Sequence, residues 1–158
     1  NGSEDTDITV GAYHVLELDT DGTKQAEHFI NAVGEDLSGR LIPAVEVRLR
    51  GLYRLLPPDY YEAADNLADF CDRIEEQYGV RPVIYCTERT YKNIVASDSR
   101  FNKDKIWYES LFSKPDEDMK WTFWTYTNRV KFSFYESGEY LHMAVFNGSE
   151  DDFKKLIM

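Results

Sequence analysis

Apolar positions follow two different periods along the first half of this chain, one typical of strands and one typical of helices. Short, nearly continuous apolar runs predict three strands, at residues 8–18, 41–47 and 82–86. Apolar residues three and four positions apart predict two intervening helices, over residues 24–33 and 60–78. Strands that alternate with helices in this way favour a parallel α/β sheet with right-handed crossovers.

Polar residues and glycines mark the ends of both predicted helices. Thr23 and Asp59 precede them, and both residue types cap helices by accepting a hydrogen bond from a free backbone N–H group. Gly34 and Gly79 follow them, and glycine readily adopts the conformation that ends a helix. We therefore expect the two helices to begin and end at these residues.

The second half of the chain predicts strands with little helix between them. A short helix is expected at 91–95 and a loop at 113–118. The remaining elements are three strands and a closing helix, at 105–108, 120–127, 141–146 and 151–158. The regular alternation of strand and helix is therefore expected to break down toward the C-terminal end.

Composition and charge limit the class of protein and its partners. The 158 residues suffice for a single domain with a core, and a hydrophobic content of 42% argues against a disordered chain. The net charge of −11 argues against nucleic acids and anionic membranes as partners, because both attract basic surfaces. No apolar run approaches the ~20 residues of a membrane span, and the polar stretch at 1–7 lacks the character of a signal peptide.

The two cysteines leave two interpretations open. Cys71 lies in the middle of a predicted helix and Cys86 in the strand that follows it. The rise of the helix and of the returning strand brings them to a similar height, so the geometry allows a disulfide. The alternative is a pair of buried thiols, since cysteine behaves as a small apolar residue in cores.

Six short motifs occur in order along the chain. They are GAYH at 11–14, QAEHFI at 25–30, LIPAVEVR at 41–48, YGVRPVIY at 78–85, WTFWTYT at 121–127 and YLHMAVFNG at 140–148. In this order they resemble the motifs of family 25 of the glycoside hydrolases, the lysozyme-type N-acetylmuramidases. The resemblance implies an irregular TIM-like β/α barrel, a peptidoglycan or related glycan as partner, and a secreted or cell-wall-facing location.

The chain departs from the family at the positions that carry its chemistry. The family begins with two strands and a helix, the first strand bearing an active-site Asp, and we find no such segment before Gly11. The family's catalytic D-x-E motif reads Glu46-x-Arg48, so Arg48 aligns with the general acid. The Asp of its last strand aligns with His142 and a following Asn with Ala144. We therefore expect a barrel without the first two strands and with a degenerate active site.

Arg48 changes what the site can do, because glycoside hydrolysis needs a carboxyl group that donates a proton. A guanidinium stays protonated near neutral pH and gives up no proton usefully. Residues i and i+2 of a strand share a face, so we expect Arg48 to form an ion pair with Glu46, which favours the charged form of that carboxyl. The alternative is a rescued site in which Glu17 and Glu46 form a carboxyl pair and His142 adds acid–base chemistry.

Aromatic residues make up 15% of the chain and supply flat surfaces for sugar rings. The candidate glycan-binding residues are Tyr13, Arg48, Tyr85, Trp107, Trp124 and Tyr126. Core packing is the alternative role for each aromatic residue. No metal or cofactor is predicted, because the histidines lack ligand spacing; we expect His14 in the core and His28 on the surface.

The sequence leaves three hypotheses of function open. The first is a domain that binds a glycan or protein without cleaving it, and the second is an active N-acetylmuramidase that hydrolyses peptidoglycan. The third is a chain that retains only the fold, a hypothesis motivated by the missing strands and by the repeat of Asn-Gly-Ser-Glu-Asp at 1–5 and 147–151. Chance repetition in a polar, acidic chain is the alternative explanation of the repeat. A barrel without two strands also leaves open sheet edges, so we expect a second copy of the chain or another polypeptide segment to cover them.

Overall fold

A computed structural model describes residues 8–131 and 140–158 of the chain. The polar stretch predicted at 1–7, which includes the first copy of the repeat, lies outside the described residues. One sheet contains six strands in the described part: β1 (Gly11–Val15), β2 (Leu41–Val47), β3 (Val83–Thr87), β4 (Ile106–Glu109), β5 (Phe123–Val130) and β6 (Leu141–Phe146). The strands lie side by side in chain order, the first five parallel and β6 antiparallel to β5. The sheet curls into half a barrel, which agrees with the predicted fold class.

Helices connect the strands in the first half of the sheet. They are α1 (Gly22–Val33), α2 (Tyr60–Tyr78) and α3 (Glu88–Thr90), with 3₁₀ turns at Gly51–Arg54 and Ser99–Phe101, whereas α4 (Glu150–Lys154) follows the last strand. α3 continues into a π-helical turn at Tyr91–Val95, where the sequence predicts a short helix. Residues 110–122, between β4 and β5, contain no helix, so the predicted irregularity is confirmed. None of the described helices combines the length and the apolar character that crossing a membrane requires.

β2 is buried on both faces of the sheet. Its bounds, Leu41–Val47, are those predicted, and six of its seven residues are buried. Val45 belongs to the main core beneath α1 and α2. Ala44, on the opposite face, belongs to a smaller apolar cluster that Leu156 covers. This burial explains why the strand reads as a nearly continuous apolar run.

The ends of α2 are those predicted. Asp59 caps the helix, because its Oδ1 accepts hydrogen bonds from the backbone N–H groups of Tyr61 at 2.9 Å and Glu62 at 3.3 Å. Gly79 ends the helix with a φ of 72°, in the left-handed region that favours glycine.

The predicted cap of α1 at Thr23 is wrong. The helix begins at Gly22, and Asp21 is its cap, with Oδ1 accepting a hydrogen bond from the backbone N–H of Lys24 at 2.9 Å. A capping side chain lies just outside the first turn to reach the free N–H groups, whereas Thr23 lies within that turn. Gly34 ends the helix, as predicted.

β1 is shorter than the strand predicted at 8–18, because the chain after Val15 folds around Gln25. The Gln25 side chain accepts a hydrogen bond from the backbone N–H of Glu17 at 2.8 Å. It donates to the carbonyl oxygens of Glu17 at 2.9 Å and Thr20 at 2.7 Å. A side-chain amide thus satisfies backbone groups that a longer strand would pair within the sheet.

The closing helix is also shorter than predicted, since α4 ends at Lys154. The last residues instead run beside the start of β2. The backbone N–H of Ile42 donates to the carbonyl of Leu156 at 2.8 Å, and that of Met158 donates to Arg40 at 2.9 Å. This pairing brings Leu156 beneath the sheet, where it closes the lower end of the half-barrel.

In the antiparallel pair β5–β6, one strand differs in its bounds from the prediction. β6 has the predicted bounds, whereas β5 begins at Phe123 and continues to Val130 instead of spanning 120–127. The register shifts between Thr125 and Thr127, and again between Thr127 and Val130. At each shift, β5 carries an extra residue that has no partner on β6. β5 therefore needs more residues than β6 to run the same length.

Both cysteines are buried free thiols, so the disulfide that the geometry allowed is not formed. Burial raises the pKa of the Cys71 and Cys86 thiols. A protonated, buried thiol is unreactive, which supports the interpretation of both as core residues.

α1 and α2 approach each other closely at Gly22. A methyl group there would overlap the carbonyl oxygen of Asn66 and lie 3.0 Å from the backbone nitrogen of Phe70. Because both atoms belong to the α2 backbone, we expect Gly22→Ala to lower the free energy of unfolding by about 2–3 kcal/mol. Urea denaturation measures the loss, with Thr23→Ala as the matched control. Equal losses in the two variants would contradict the close approach.

Candidate functional site

A cleft of about 690 Å³ opens on the face of the sheet opposite α1 and α2. All six strands and the segment after β2 contribute to its lining, which consists of Tyr13, Ala44, Glu46, Arg48, Arg50, Arg54, Tyr85, Trp107, Thr125 and His142. Several of these residues lie at or beyond the carboxyl ends of the parallel strands. This is the end at which α/β barrels carry their ligand sites.

The strand register brings polar and aromatic side chains together. Glu46 of β2 lies beside Tyr85 of β3, which lies beside Trp107 of β4. Two residues further along β4, Glu109 lies beside Thr125 of β5. Because residues i and i+2 of a strand share a face, these five side chains lie on the same side of the sheet.

Arg48 is the centre of a charged network on this face. Its Nε donates to Glu46 Oε1 at 2.6 Å, and its Nη2 donates to Glu109 Oε2 at 2.7 Å and to the Tyr85 hydroxyl at 3.1 Å. Arg50 Nη2 donates to the same Glu46 oxygen at 3.0 Å. The predicted Arg48–Glu46 ion pair is confirmed. Both carboxylate side chains are only 9% exposed, against 26% for Arg48.

Burial and charge act together on the two groups that contact Glu109. Burial alone would lower the pKa of Arg48, but its hydrogen bond to Glu109 and the nearby carboxylate charges raise that pKa above its usual value. Burial raises the pKa of Tyr85, and a hydrogen bond from its hydroxyl to Glu109 Oε2 raises it further. Arg48 therefore stays cationic and Tyr85 stays neutral at physiological pH. The network therefore holds a fixed positive charge on Arg48 beside a neutral Tyr85 hydroxyl.

Glu109 is the principal residue that the sequence analysis missed. It stands two positions after Trp107, so the alternation of a strand places both on one face once Trp107 is assigned to the cleft. Its contact with Arg48, across 61 positions, depends on how three strands align. Arg50 follows Arg48 at the same spacing and could have been found in the same way. Arg54 lies between the strand predicted at 41–47 and the helix predicted at 60–78, where the sequence has no periodic signal.

Three of the predicted aromatic residues line the cleft. Tyr13 is 65% exposed, and the rings of Tyr85 and Trp107 lie with centroids 5.1 Å apart. Trp107 donates its indole N–H to Thr125 Oγ1 at 2.8 Å, which orients the ring. Their contact with a sugar remains a prediction.

The structure places three other predicted residues outside the cleft. Trp124 packs against the core on the helix side, and its indole N–H donates to a backbone carbonyl at 3.0 Å. Tyr126 lies beside it, with ring centroids 5.9 Å apart. Glu17 lines an adjoining depression of about 370 Å³, which shares Arg48 and Arg50 with the cleft, and it does not line the cleft itself. Trp124 lies outside the cleft because successive side chains of a strand point to opposite faces of the sheet, and the adjacent Thr125 faces the cleft.

The histidines lie in three different environments. His142 is exposed and lines the cleft from β6. His14 stacks on Phe70 with ring centroids 5.0 Å apart, and its Nε2 lies 3.0 Å from Gln25 Oε1, as expected of a hydrogen-bonded core histidine. His28 is exposed, as predicted. Within 8–131 and 140–158, no three His, Cys, Asp or Glu side chains form a group suited to a metal ion.

A half-barrel with a charged and aromatic cleft at this end of its strands defines a domain of the lysozyme-type α/β barrel class. The chain belongs to glycosyl hydrolases family 25, whose family model matches residues 1–133. A family 25 glycosyl hydrolase from Bacillus anthracis is 30% identical, with a TM-score of 0.84 over 99% of this chain and 72% of that one. No curated protein matches the chain.

Two further solved structures show the same fold at lower identity. A family GH25 lysozyme from Aspergillus fumigatus is 19% identical, with a TM-score of 0.76 over 98% of this chain and 76% of that one. A bacterial lysozyme from Streptomyces coelicolor is 23% identical, with a TM-score of 0.73 over 92% of this chain and 70% of that one. The predicted resemblance to the family and to its fold is therefore confirmed.

Tyr85 gives the cleft a measurable pH signature. A tyrosine with a raised pKa in the folded state stabilises the fold fully below the unfolded-state pKa of about 10, and this stabilisation is lost as pH rises further. We expect Tyr85→Phe to be about 1–2 kcal/mol less stable than wild type at pH 8, because it loses a hydrogen bond to a charged group. The gap should narrow above pH 10.

Urea denaturation at pH 8 to about 11 measures this gap, within the range where tyrosine titrates. Tyr61→Phe is the control, because the Tyr61 side chain is 87% exposed. If the difference in stability between the wild type and Tyr85→Phe stays constant across this pH range, burial and the hydrogen bond to Glu109 do not raise the pKa of Tyr85.

Proposed function

We propose that this domain binds a cell-wall glycan in the cleft without hydrolysing it. Its membership of family 25 supports a muramidase-like domain directed at peptidoglycan in a secreted or wall-facing setting. The position of Arg48 is the observation that supports the absence of hydrolysis. It aligns with the family's proton donor and is bonded to two buried carboxylates.

The charge network works against the chemistry of hydrolysis. Glycoside hydrolysis normally uses one carboxylic acid that protonates the leaving oxygen and a second carboxyl group that acts as base or nucleophile. Arg48 can take neither role, and its guanidinium donates hydrogen bonds to both Glu46 and Glu109. The two carboxylates serve instead as acceptors that hold the guanidinium in place.

The same cleft retains features that suit a sugar. Tyr13, Tyr85 and Trp107 offer aromatic faces, and Tyr13 is largely open to solvent. Aromatic side chains combine a large apolar face with few rotatable bonds, so they order at little entropic cost. Arg48 and Arg50 add hydrogen-bond donors beside these faces.

An active N-acetylmuramidase is the second candidate, and two converging carboxyl groups favour it. Glu46 and Glu109 approach the same guanidinium from β2 and β4. A ligand that displaced Arg48 would leave this pair facing the substrate, with His142 at the edge of the cleft. In that form Glu109 is the partner of Glu46, in place of the predicted Glu17.

We also propose that a second copy of the chain or another polypeptide segment covers the β1 edge of the sheet. Ile8 and Val10 near this edge are 68% and 38% exposed. Open edges with apolar side chains favour association. Light scattering on the purified chain should show assembly beyond one copy, and a monomer across micromolar concentrations would contradict self-association.

Purified bacterial cell walls separate the two candidate functions. We expect the wild type to sediment with the walls and to leave their turbidity unchanged. Tyr13→Ala should weaken sedimentation by roughly three- to tenfold, the effect of one lost aromatic contact. Tyr61→Ala is the matched control, since Tyr61 is also exposed but does not line the cleft.

Arg48→Glu in the same assay tests the role of the network. It places a third carboxyl group beside Glu46 and Glu109, so we expect a loss of about 3 kcal/mol in stability and no clearing of the walls. Arg73→Glu on α2, whose partner Glu76 is mostly exposed, should change stability by less than about 1 kcal/mol. Clearing by the wild type would establish the muramidase candidate instead, whereas clearing by Arg48→Glu alone would show that residue 48 is what prevents hydrolysis in the wild type.

A further inference from the structure

We infer that an apolar recess beneath the cleft binds a small uncharged group, either an aromatic ring or a branched aliphatic chain. The recess has a volume of about 220 Å³, and strands β1 to β5 all contribute to its walls. Tyr13, Ala44 and Trp107 line both the recess and the cleft, so the two cavities adjoin. The inference goes beyond the proposed function, because it concerns a second cavity and a different class of ligand.

Strand alternation builds the recess below the charged network. Ile42 and Ala44 precede Glu46 at positions two apart on β2, so all three side chains share the cleft face of the sheet. Val83 of β3 lies beside Ala44. Leu156 packs in the same apolar cluster and closes the lower end of the half-barrel. The face that carries charged side chains at the carboxyl ends of the strands is therefore aliphatic toward their amino ends.

The lining of the recess offers little to a water molecule. None of the described lining residues is charged. The indole N–H of Trp107 already donates to Thr125 Oγ1 at 2.8 Å, and Tyr13, which carries the one hydroxyl of the described lining, is 65% exposed at the border of the cleft. A buried water needs about two to four polar partners, which these side chains do not supply. The recess therefore favours an apolar occupant over water.

The size and shape of the recess suit one ring with small substituents. An apolar protein cavity of roughly 150 Å³ suffices to bind benzene, and the recess is somewhat larger. Trp107 and Phe123 form one wall, with ring centroids 5.1 Å apart and planes inclined by 42°. Tilted rings present both faces and edges, which are the surfaces that a further aromatic ring prefers to contact.

Toluene and benzoate test the class of ligand, because they share a ring and differ in charge. We expect toluene to bind the full chain with a dissociation constant on the order of 1 mM. Benzoate should bind in the recess at least about tenfold more weakly, because a carboxylate buried there would lack a partner. Titrations followed by the NMR signals of the Ile42, Val83 and Leu156 methyl groups locate the ligand. The methyl groups of Val95, in the main core, should not shift.

Two substitutions at Val83 fill the recess in steps without altering a residue that lines the cleft. Val83→Leu adds one methylene and should weaken toluene binding by about threefold or more, and Val83→Phe should abolish it. Val95→Leu is the matched control, since Val95 and Val83 are each 3% exposed but Val95 lies in the main core. If the melting transition shows that Val83→Phe does not fold, Val83→Leu still decides the test.

A pair of glycosides distinguishes two sources of the apolar group. Benzyl and methyl glycosides of N-acetylglucosamine differ only in the ring that could enter the recess. Tighter binding of the benzyl glycoside that Val83→Phe removes would show that the apolar group is part of a glycan in the cleft. Equal binding of the two glycosides, with toluene still bound, would show that the recess takes a separate molecule. Either result supports the inference.

Two results would overturn the inference. One is the absence of methyl shifts at Ile42, Val83 and Leu156 up to saturating toluene, together with equal binding of the two glycosides. The other is toluene binding that the Val83 variants leave unchanged. Neither result bears on the sedimentation of the chain with cell walls, so the proposed glycan binding would stand or fall separately.

Discussion

The guanidinium of Arg48, shared between Glu46 and Glu109, is the interaction on which the cleft depends. It joins the ends of β2 and β4 through side chains, with bonds of 2.6 and 2.7 Å. Both carboxylates are only 9% exposed, so neither could remain ionised there at low cost without a cation. Removing one partner of such a group is far more damaging than its net contribution to stability suggests, because the others stay buried and unpaired. Arg48 therefore determines both the shape of the cleft floor and the charge on it.

The fold and this network rest on different parts of the molecule. The register of β2, β3 and β4 comes from backbone pairing and from the core that α1 and α2 cover. The charged side chains lie at the carboxyl ends of the same strands, where they contribute little to that core. A barrel can therefore keep its architecture while the residues at its strand ends change, which is why one fold supports many chemistries. Membership of family 25 defines the architecture, and the side chains in the cleft decide the reaction.

Elements with a local signal could be predicted from the sequence, whereas residues that depend on register could not. α2 has its predicted bounds because Asp59 and Gly79 are local signals, and the buried strand β2 reads directly as an apolar run. Glu109 and Trp124 are different, since their roles depend on which face of the sheet each strand presents. A one-residue change in register exchanges the two faces, and β5 contains two shifts of register. Trp124 therefore packs on the helix side, and the contact of Glu109 with Arg48 across 61 positions becomes visible only when the strands are assembled.

The distribution of charged side chains in the cleft is the physical basis of the proposed binding function. At the floor of the cleft, two carboxylates compensate the charge of Arg48. At its mouth, the charges of Arg50 and Arg54 are compensated less. The arginines lie beside the aromatic faces of the cleft, where they can donate hydrogen bonds to a sugar ring that lies on those faces. Hydrolysis requires a proton donor at the floor, where Arg48 takes the place of that donor and bonds both carboxylates. The distribution of charge from floor to mouth therefore favours binding over hydrolysis in this cleft.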